Sequence, residues 1–356
     1  MALDIPHTRL ENQRLTSSTF AKPEDVVSWF GAIQAQDFAA AKWAIAQRCT
    51  NQTDASIEQA FNDGRILRTH VMRPTWHFAT PADIRWLLAL TAERIHRFNG
   101  YYYRQTGLDK TIFQKSNEVI RKALADGQQL TRDELNTKLK DANIPTENLG
   151  LSYTIMQAEL DGVIISGPRR GKQFTYMLFN ERVPKQPEKT RDEALAELTR
   201  RYFQSHGPAT LQDFVWWSGL TVADAKHGIA MNKKHFIAET LSEKQYWFRD
   251  TLHTKIQTHA LLLPNYDEYI VGYTNRSMIY DTNHDHKLDA RGNALFQHTI
   301  VLNGNIIGTW KREIKSKQCI ISLNLFEKLT AVQQQAIEQA VNRFGKFLNK
   351  PITIQL

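Results

Sequence analysis

Cysteine is almost absent. Cys49 and Cys319 are the only two in 356 residues, too few for a disulfide framework or a thiolate zinc site. A reducing cytoplasm is the expected setting. No apolar run reaches the roughly 18 to 20 residues that a membrane span needs. The opening Met1-Ala2-Leu3-Asp4-Ile5-Pro6-His7 has no basic flank followed by an apolar block, so neither a secretion signal nor membrane attachment is expected.

What is present is globular. Hydrophobic residues make up 42%, aromatics 10% and charged residues 23%, proportions of packed rather than disordered chains. The length suits roughly two to four modules, each able to bury a small core. Lysine and arginine total 45 against 37 acids, a net charge of +8. That excess attracts polyanions, but alone it does not separate nucleic acid from an ordinary basic surface.

The middle third is the most legible. A helix is expected from about Lys115 to Ala125, ended by Gly127. Thr131 and Glu134 have capping-box spacing at the start of a second helix, and Ile144-Pro145 breaks the chain after it. A third helix runs from Tyr153 to Leu160, with Ile155, Met156 and Leu160 available for burial. Asp161-Gly162 then turns into the strand Val163-Ile164-Ile165. The basic loop Gly167-Pro168-Arg169-Arg170-Gly171-Lys172 leads into a second strand, Gln173 to Phe179. Three helices, strand, basic loop, strand is the winged helix-turn-helix order.

The order recurs. Residues 191–204 read as a helix, Thr210 and Asp213 repeat the capping spacing ahead of Trp216-Trp217, and Val222 to Ala230 reads as the next helix. Strands near Ile237 and Tyr246-Trp247-Phe248 would form that wing. A weaker copy opens the chain: Pro23 starts a helix with Val26, Val27, Phe30 and Ile33 on its apolar face. Helices at Ala39–Arg48 and Ile57–Phe61 follow, then a strand from Arg65 to Arg73 that could pair with Thr75 to Ala79. Beyond about residue 251 the chain turns strand-rich, at His259–Leu263, Tyr269–Tyr273, His298–Leu302, Ile306–Trp310 and Cys319–Asn324. Asn303-Gly304 is a hairpin turn, and a helix at Ala331–Phe347 precedes a short last strand. The expected fold is α+β. Winged-helix units occupy 1–110, 111–185 and 186–250, and a β-rich, barrel-like domain occupies 251–356.

Gly31-Ala32-Ile33-Gln34-Ala35-Gln36-Asp37 is unusual. Glutamines two apart point about 200° apart on a helix but the same way on an extended chain. If Gln34 and Gln36 cooperate, the helix must end near residue 34; otherwise they are solvated surface amides. Asp281, Asn283 and Asp285 imitate a calcium loop, but His286 at its sixth position and Gly292 at its twelfth fail that motif. His284 and His286 could in principle hold zinc, but a metal there is not expected, and Trp216-Trp217 reads as core. No metal or cofactor is expected.

Gln34-Ala35-Gln36, Arg68-Thr69-His70-Val71-Met72-Arg73-Pro74-Thr75-Trp76-His77, the run Leu262-Leu263-Pro264-Asn265-Tyr266-Asp267-Glu268-Tyr269-Ile270-Val271-Gly272-Tyr273 and Gly308-Thr309-Trp310-Lys311 together resemble the AlkZ/YcaQ family of winged-helix DNA glycosylases. The likeness covers nearly the whole chain. Pro74 departs from it, standing where many relatives have glycine, and bears on the geometry of that hairpin. The family implies a C-shaped molecule, three winged helices and a β-rich domain around a basic concave face. It also implies that the glutamine–apolar–glutamine motif is catalytic.

That chemistry is reasonable. N-glycosidic cleavage passes through an oxocarbenium-like sugar, usually assisted by carboxylates. A purine alkylated at N7 already carries positive charge and leaves without a general acid. An amide, with one acceptor and two donors, can place the water but is no strong base. The expectation is a lyase-free, monofunctional glycosylase for N7-alkylated purines in duplex DNA, extending to interstrand crosslinks. It would act as a monomer at the nucleoid. Arg68, Arg73 and His77 on the first wing, and Arg169, Arg170 and Lys172 on the second, are candidates for phosphate contact. Asp267 is either a turn residue, a carboxylate near the sugar or a structural anchor. The rival is a non-catalytic winged-helix regulator, which would read base edges and carry a dimer or effector interface. A third reading is an architectural DNA binder whose glutamines are inert.

Overall fold

The computed structural model describes residues 3–17, 20–249, 258–281, 283 and 297–355. His284, Asp285, His286 and Gly292 lie outside them, so the calcium-loop and zinc readings fall outside the described residues. The chain divides into two compact units: 1–58, 198–217 and 221–356 form one, and 59–197 with 218–220 the other.

The second unit contains the stretch best foreseen. Helices Lys110–Ala123, Arg132–Asp141 and Gly150–Leu160 precede strands Ile164–Ser166 and Thr175–Leu178. Thr131 accepts from the Glu134 amide while the Glu134 side chain takes the Thr131 amide, so the expected capping box forms. The strands pair antiparallel, and Leu130-Thr131 adds a short third one on the far side of Thr175–Leu178. One core closes this stretch, with Ile120, Leu135, Leu139, Ile155, Ile164 and Tyr176 all buried. The same unit holds the hairpin Leu67–Val71 with Arg73–Ala79. Met72, at φ 62°, makes its turn. Pro74 sits exposed just inside the second strand, where a missing N–H is tolerated.

A 22-residue helix, Ile84–Gln105, follows the hairpin and was not expected. It buries Ile84, Leu87, Leu88, Thr91, Ile95, Asn99 and Tyr103 at helical spacing. Its start carries no usual cap signal, because the Asp83 carboxylate turns to Thr80 Oγ1 and Trp86 Nε1 instead of the backbone.

In the first unit, helices Ile5–Asn12, Pro23–Phe30 and Phe38–Ala46 sit with a five-stranded sheet. That sheet runs, from one edge to the other, through Ile352–Gln355, Cys319–Leu325, Asn305–Ile314, Thr299–Leu302 and Ala260–Leu263. All its pairings are antiparallel except the last strand, which lies parallel to Cys319–Leu325. The barrel-like expectation is corrected here: among the described residues the sheet keeps two edges. Helix Ala331–Leu348 covers it through Phe344, whose ring meets Trp310 edge-on, 5.1 Å between centroids. Trp43 and Trp310 donate to the neighbouring carbonyls of Leu262 and Leu263, at 2.7 and 2.9 Å. Helices Leu211–Ser218 and Val222–Asn232 and the hairpin Ile237–Leu241 with Lys244–Phe248 complete the unit.

The run expected as a strand at Tyr269–Tyr273 is instead a short helix, Glu268–Val271. Asp267 caps it, accepting from the Tyr269 amide. All four of its residues are buried, and an apolar run without periodicity does not distinguish strand from helix. Among the described residues no helix is long and apolar enough to cross a membrane.

Candidate active site

The glutamine motif lies on a short extended link between two helices. Helix Pro23–Phe30 stops at Gly31, whose φ of 86° lies where an L side chain would be strained. Ile33-Gln34 is extended. Asp37 then caps the next helix, accepting from the Ala40 amide at 3.0 Å. The chain therefore leaves the helix before residue 34, the condition for Gln34 and Gln36 to project the same way. Ala35 between them is buried, Gln34 is 5% exposed and Gln36 is open to solvent. One glutamine is thus buried and the other exposed.

Beneath the link lies a carboxylate that the sequence reading passed over. Glu268 Oε1 accepts the backbone N–H of Gln34 at 2.7 Å. Its Oε2 accepts from Trp217 Nε1 at 2.8 Å and meets His206 Nε2 at 3.1 Å. Glu268 is 1% exposed, and His206 and Trp217 are fully buried. Burial pushes the carboxyl toward its neutral form. The donors of His206, Gln34 and Trp217 outweigh that and hold it below the usual carboxylate range. Burial is the main cause lowering His206, opposed by Glu268; the pair is a carboxylate anion beside a neutral imidazole. Gly272 permits the approach: a Cβ there would stand 2.6 Å from His206 Cδ2. Glycine in the motif Val271-Gly272-Tyr273 thus leaves room for the ring under the glutamine strand. Only the pairing of Glu268 with His206 across 62 residues would have revealed this site, and no local spacing encodes it.

Glu268→Gln is expected to loosen this link. The amide can turn an acceptor to Gln34 or to the Trp217 and His206 side, never both, leaving a buried donor facing an N–H at a cost of about 1–3 kcal/mol. The wild-type pair also sets a pH dependence. A carboxyl with a depressed folded pKa stabilises above its unfolded value, and that contribution is lost as pH falls through the folded pKa. An imidazole with a depressed folded pKa loses stability as pH falls below about 6.5, because the unfolded chain binds its proton first. Both act in the same direction, so wild-type Tm should fall with acidification below about pH 6.5. Glu268→Gln should keep the imidazole part and lose the carboxylate part, which a Tm series from pH 4 to 8 would resolve (~4 and ~8 bracketing both ordinary pKa values).

Asp267, the neighbour of Glu268, is completely buried. Its Oδ1 and Oδ2 accept from Arg48 Nη2 and Nη1 at 2.8 and 2.9 Å. Both oxygens are therefore engaged inside the protein.

The other candidates divide sharply. His77 has no exposed surface, and its Nδ1 lies 2.9 Å from the Thr75 carbonyl, the environment of the core-histidine alternative. Arg68, 8% exposed, lies over the rings of Trp76 and Phe174 at 4.4 and 4.8 Å. Arg73 is half-buried. On the second loop the Arg169 guanidinium lies 4.8 Å over Phe174 and also donates to the Lys172 carbonyl. Arg170 pairs with Glu134 at 2.8 Å and reaches the Gln129 carbonyl. Lys172 is exposed. Of the paired tryptophans, Trp217 is core as expected. Trp216 is 42% exposed and anchored by a bond to the Val271 carbonyl.

Burial pushes the Cys49 thiol up to about 12, which leaves it no thiolate character near neutral pH. Among the described residues no group of three or more His, Cys, Asp or Glu is arranged to hold a metal ion.

The profile of the family described as DNA glycosylase AlkZ-like matches residues 27–347, and the chain belongs to that family. It is similar to the Streptomyces sahachiroi protein named interstrand DNA cross-link repair glycosylase, 26% identical over 335 residues and 88% of each chain. Its fold matches the solved structure of the Streptomyces sahachiroi DNA glycosylase AlkZ with a TM-score of 0.79. That match is at 22% identity and covers 99% of this chain and 98% of the other. At that identity the structural likeness speaks for the fold, and the family match carries the enzyme class.

Proposed function

We propose that this DNA glycosylase removes purines alkylated at N7 by hydrolysis, with Gln34 and Gln36 orienting the water, and that its substrates extend to interstrand crosslinks joined through N7. The observation that carries the reading is that the chain leaves the helix before Gln34, which sits in a short strand with its amide buried while that of Gln36 is exposed. Two neutral amides suit a leaving group that already carries charge. They suit an unmodified nucleoside poorly, because no general acid of the usual carboxylate type stands in the motif. Asp267 serves as an anchor, since Arg48 occupies both its oxygens. The relative named for crosslink repair supports the wider substrate range.

Residues 111–185 read as a winged helix whose basic loop meets the DNA backbone through Lys172. Arg170 would first have to give up Glu134. Lys172→Ala should weaken binding evenly across sequences and flatten the plot of log affinity against log salt by about 0.9. An unchanged slope would place that loop away from the duplex.

The reading is tested by incubating the protein with duplex DNA carrying one N7-methylguanine. Free base should appear together with alkali-labile abasic sites, and borohydride should trap no protein–DNA adduct. Failure to release base from N7-alkylated duplexes would overturn it, as would a borohydride-trapped adduct for the lyase-free part.

A further inference from the structure

Away from the glutamines, the first turn of helix Leu211–Ser218 borders a cavity of about 540 Å³ whose wall holds Arg9, Lys226 and Lys244. Arg9 is 1% exposed. Its Nε donates to the Pro208 carbonyl at 2.9 Å, and its guanidinium lies 3.6 Å from the centre of the Tyr273 ring. Nη1 is buried without a hydrogen-bond partner, and among the described residues Arg9 forms no ion pair. A guanidinium held out of water with only a carbonyl and an aromatic face around it lacks the anion that would offset its desolvation.

The helix start supplies the complementary half. Thr210 and Asp213 close a capping box, Thr210 Oγ1 accepting the Asp213 amide and Asp213 Oδ2 accepting the Thr210 amide. The first-turn N–H groups of Leu211 and Gln212 precede any carbonyl that the helix could offer them and carry the positive end of its dipole. Asp213 is the one acid of the lining. Its Oδ1 is occupied by the Thr274 amide and hydroxyl, at 2.8 and 2.7 Å, and its Oδ2 by Thr210. Three cations against one fully bonded carboxylate leave the cavity positive. Tyr246 and Trp247 line it as well, giving an aromatic surface beside the cations, and the space exceeds one phosphate.

We propose that this cavity is a phosphate-ester binding site, with one phosphoryl oxygen group between Arg9 and the start of the 211–218 helix and Lys226 and Lys244 at its mouth. Buried arginine plus helix N–H groups is the arrangement that recognises such oxyanions. The ester is either a free nucleotide or a phosphodiester of the DNA backbone. The site shares no residue with the glutamine motif, so base release is not its readout and it does not depend on the substrate proposed above.

Inorganic phosphate and guanosine monophosphate are titrated into the full chain in chloride buffer and followed by calorimetry. Wild type should show one saturable site. Arg9→Gln should weaken it about tenfold or more, losing a charge-assisted partner. Because Arg9 is buried, Lys226→Ala with Lys244→Ala is the control that leaves the core alone; it should weaken binding severalfold. If phosphate displaces an undamaged duplex, and the double lysine variant flattens the salt dependence of duplex binding by about 2, the ester is that of the backbone. If phosphate binds without displacing the duplex, it is a free ester. Absence of saturable binding for both probes together with a wild-type salt slope in the lysine variant would overturn the proposal. So would probe binding that neither Arg9→Gln nor the lysine pair alters.

Discussion

Gln34→Ala and Gln36→Ala are each expected to lower single-turnover release of N7-methylguanine about 10²-fold, the scale on which one positioned hydrogen-bonding group acts in a transition state. Duplex affinity should change little. The double variant should fall short of the product of the singles, because two amides that hold one water act as a unit. The two sites should also differ. Gln34 is buried, so Gln34→Ala leaves a small cavity and should lower Tm as well as rate. Gln36 is exposed, so Gln36→Ala should lower rate alone. Single-turnover kinetics beside thermal melting separates the two effects. Wild-type rates in the double variant would remove the glutamines from the mechanism and leave the family's activity to other residues.

What could be seen in the residues follows from how local the cause was. The 111–185 stretch was legible almost element by element, because a capping box at Thr131 and Glu134, a breaker at Ile144-Pro145 and a turn at Asp161-Gly162 act within a few residues. The end of the Pro23 helix was only partly legible: Ile33, expected on its apolar face, lies instead in a strand, because Gly31 at positive φ ends the helix at Phe30. The helix Ile84–Gln105 was not, since its cap residue Asp83 is used by neighbouring side chains. The strand expected at Tyr269–Tyr273 became a helix because Asp267 and the burial of all four residues decided what an aperiodic apolar run leaves undetermined. The open sheet and the Glu268 floor lie further from sequence. Both depend on partners brought together by the fold: Trp43 and Trp310 on adjacent carbonyls, and His206, Trp217 and Gln34 on one carboxylate. Membership of the family was legible in short motifs, but the motif residue that turned out to hold the glutamine strand, Glu268, was hidden beside the more conspicuous Asp267.

Asp267→Asn is expected to be the most destabilising of the isosteric changes near the site. Arg48 is 1% exposed and all five of its donors are engaged. Nε and one Nη2 hydrogen go to Gln13, Nη1 reaches the Ala44 carbonyl, and both Nη groups grip Asp267. Asparagine preserves the carbonyl that caps the Glu268–Val271 helix, so the substitution removes the charge and one acceptor with little change of shape. An arginine left buried without its counter-ion costs about 3–5 kcal/mol, a large part of the roughly 5–15 kcal/mol that holds a typical domain together. Urea unfolding should show it as a lower midpoint with an unchanged slope. Replacing both partners, Arg48→Met with Asp267→Asn, should recover part of the loss, because the unpaired charge goes while the asparagine carbonyl keeps the helix cap; the Gln13 and Ala44 acceptors that lose Arg48 keep the recovery incomplete. The same pair of variants separates anchor from catalyst. If Asp267 only anchors, the double replacement should restore base release along with stability, Glu268 being returned to its place under Gln34. Restored stability without restored release would mean that the carboxylate itself takes part in the chemistry.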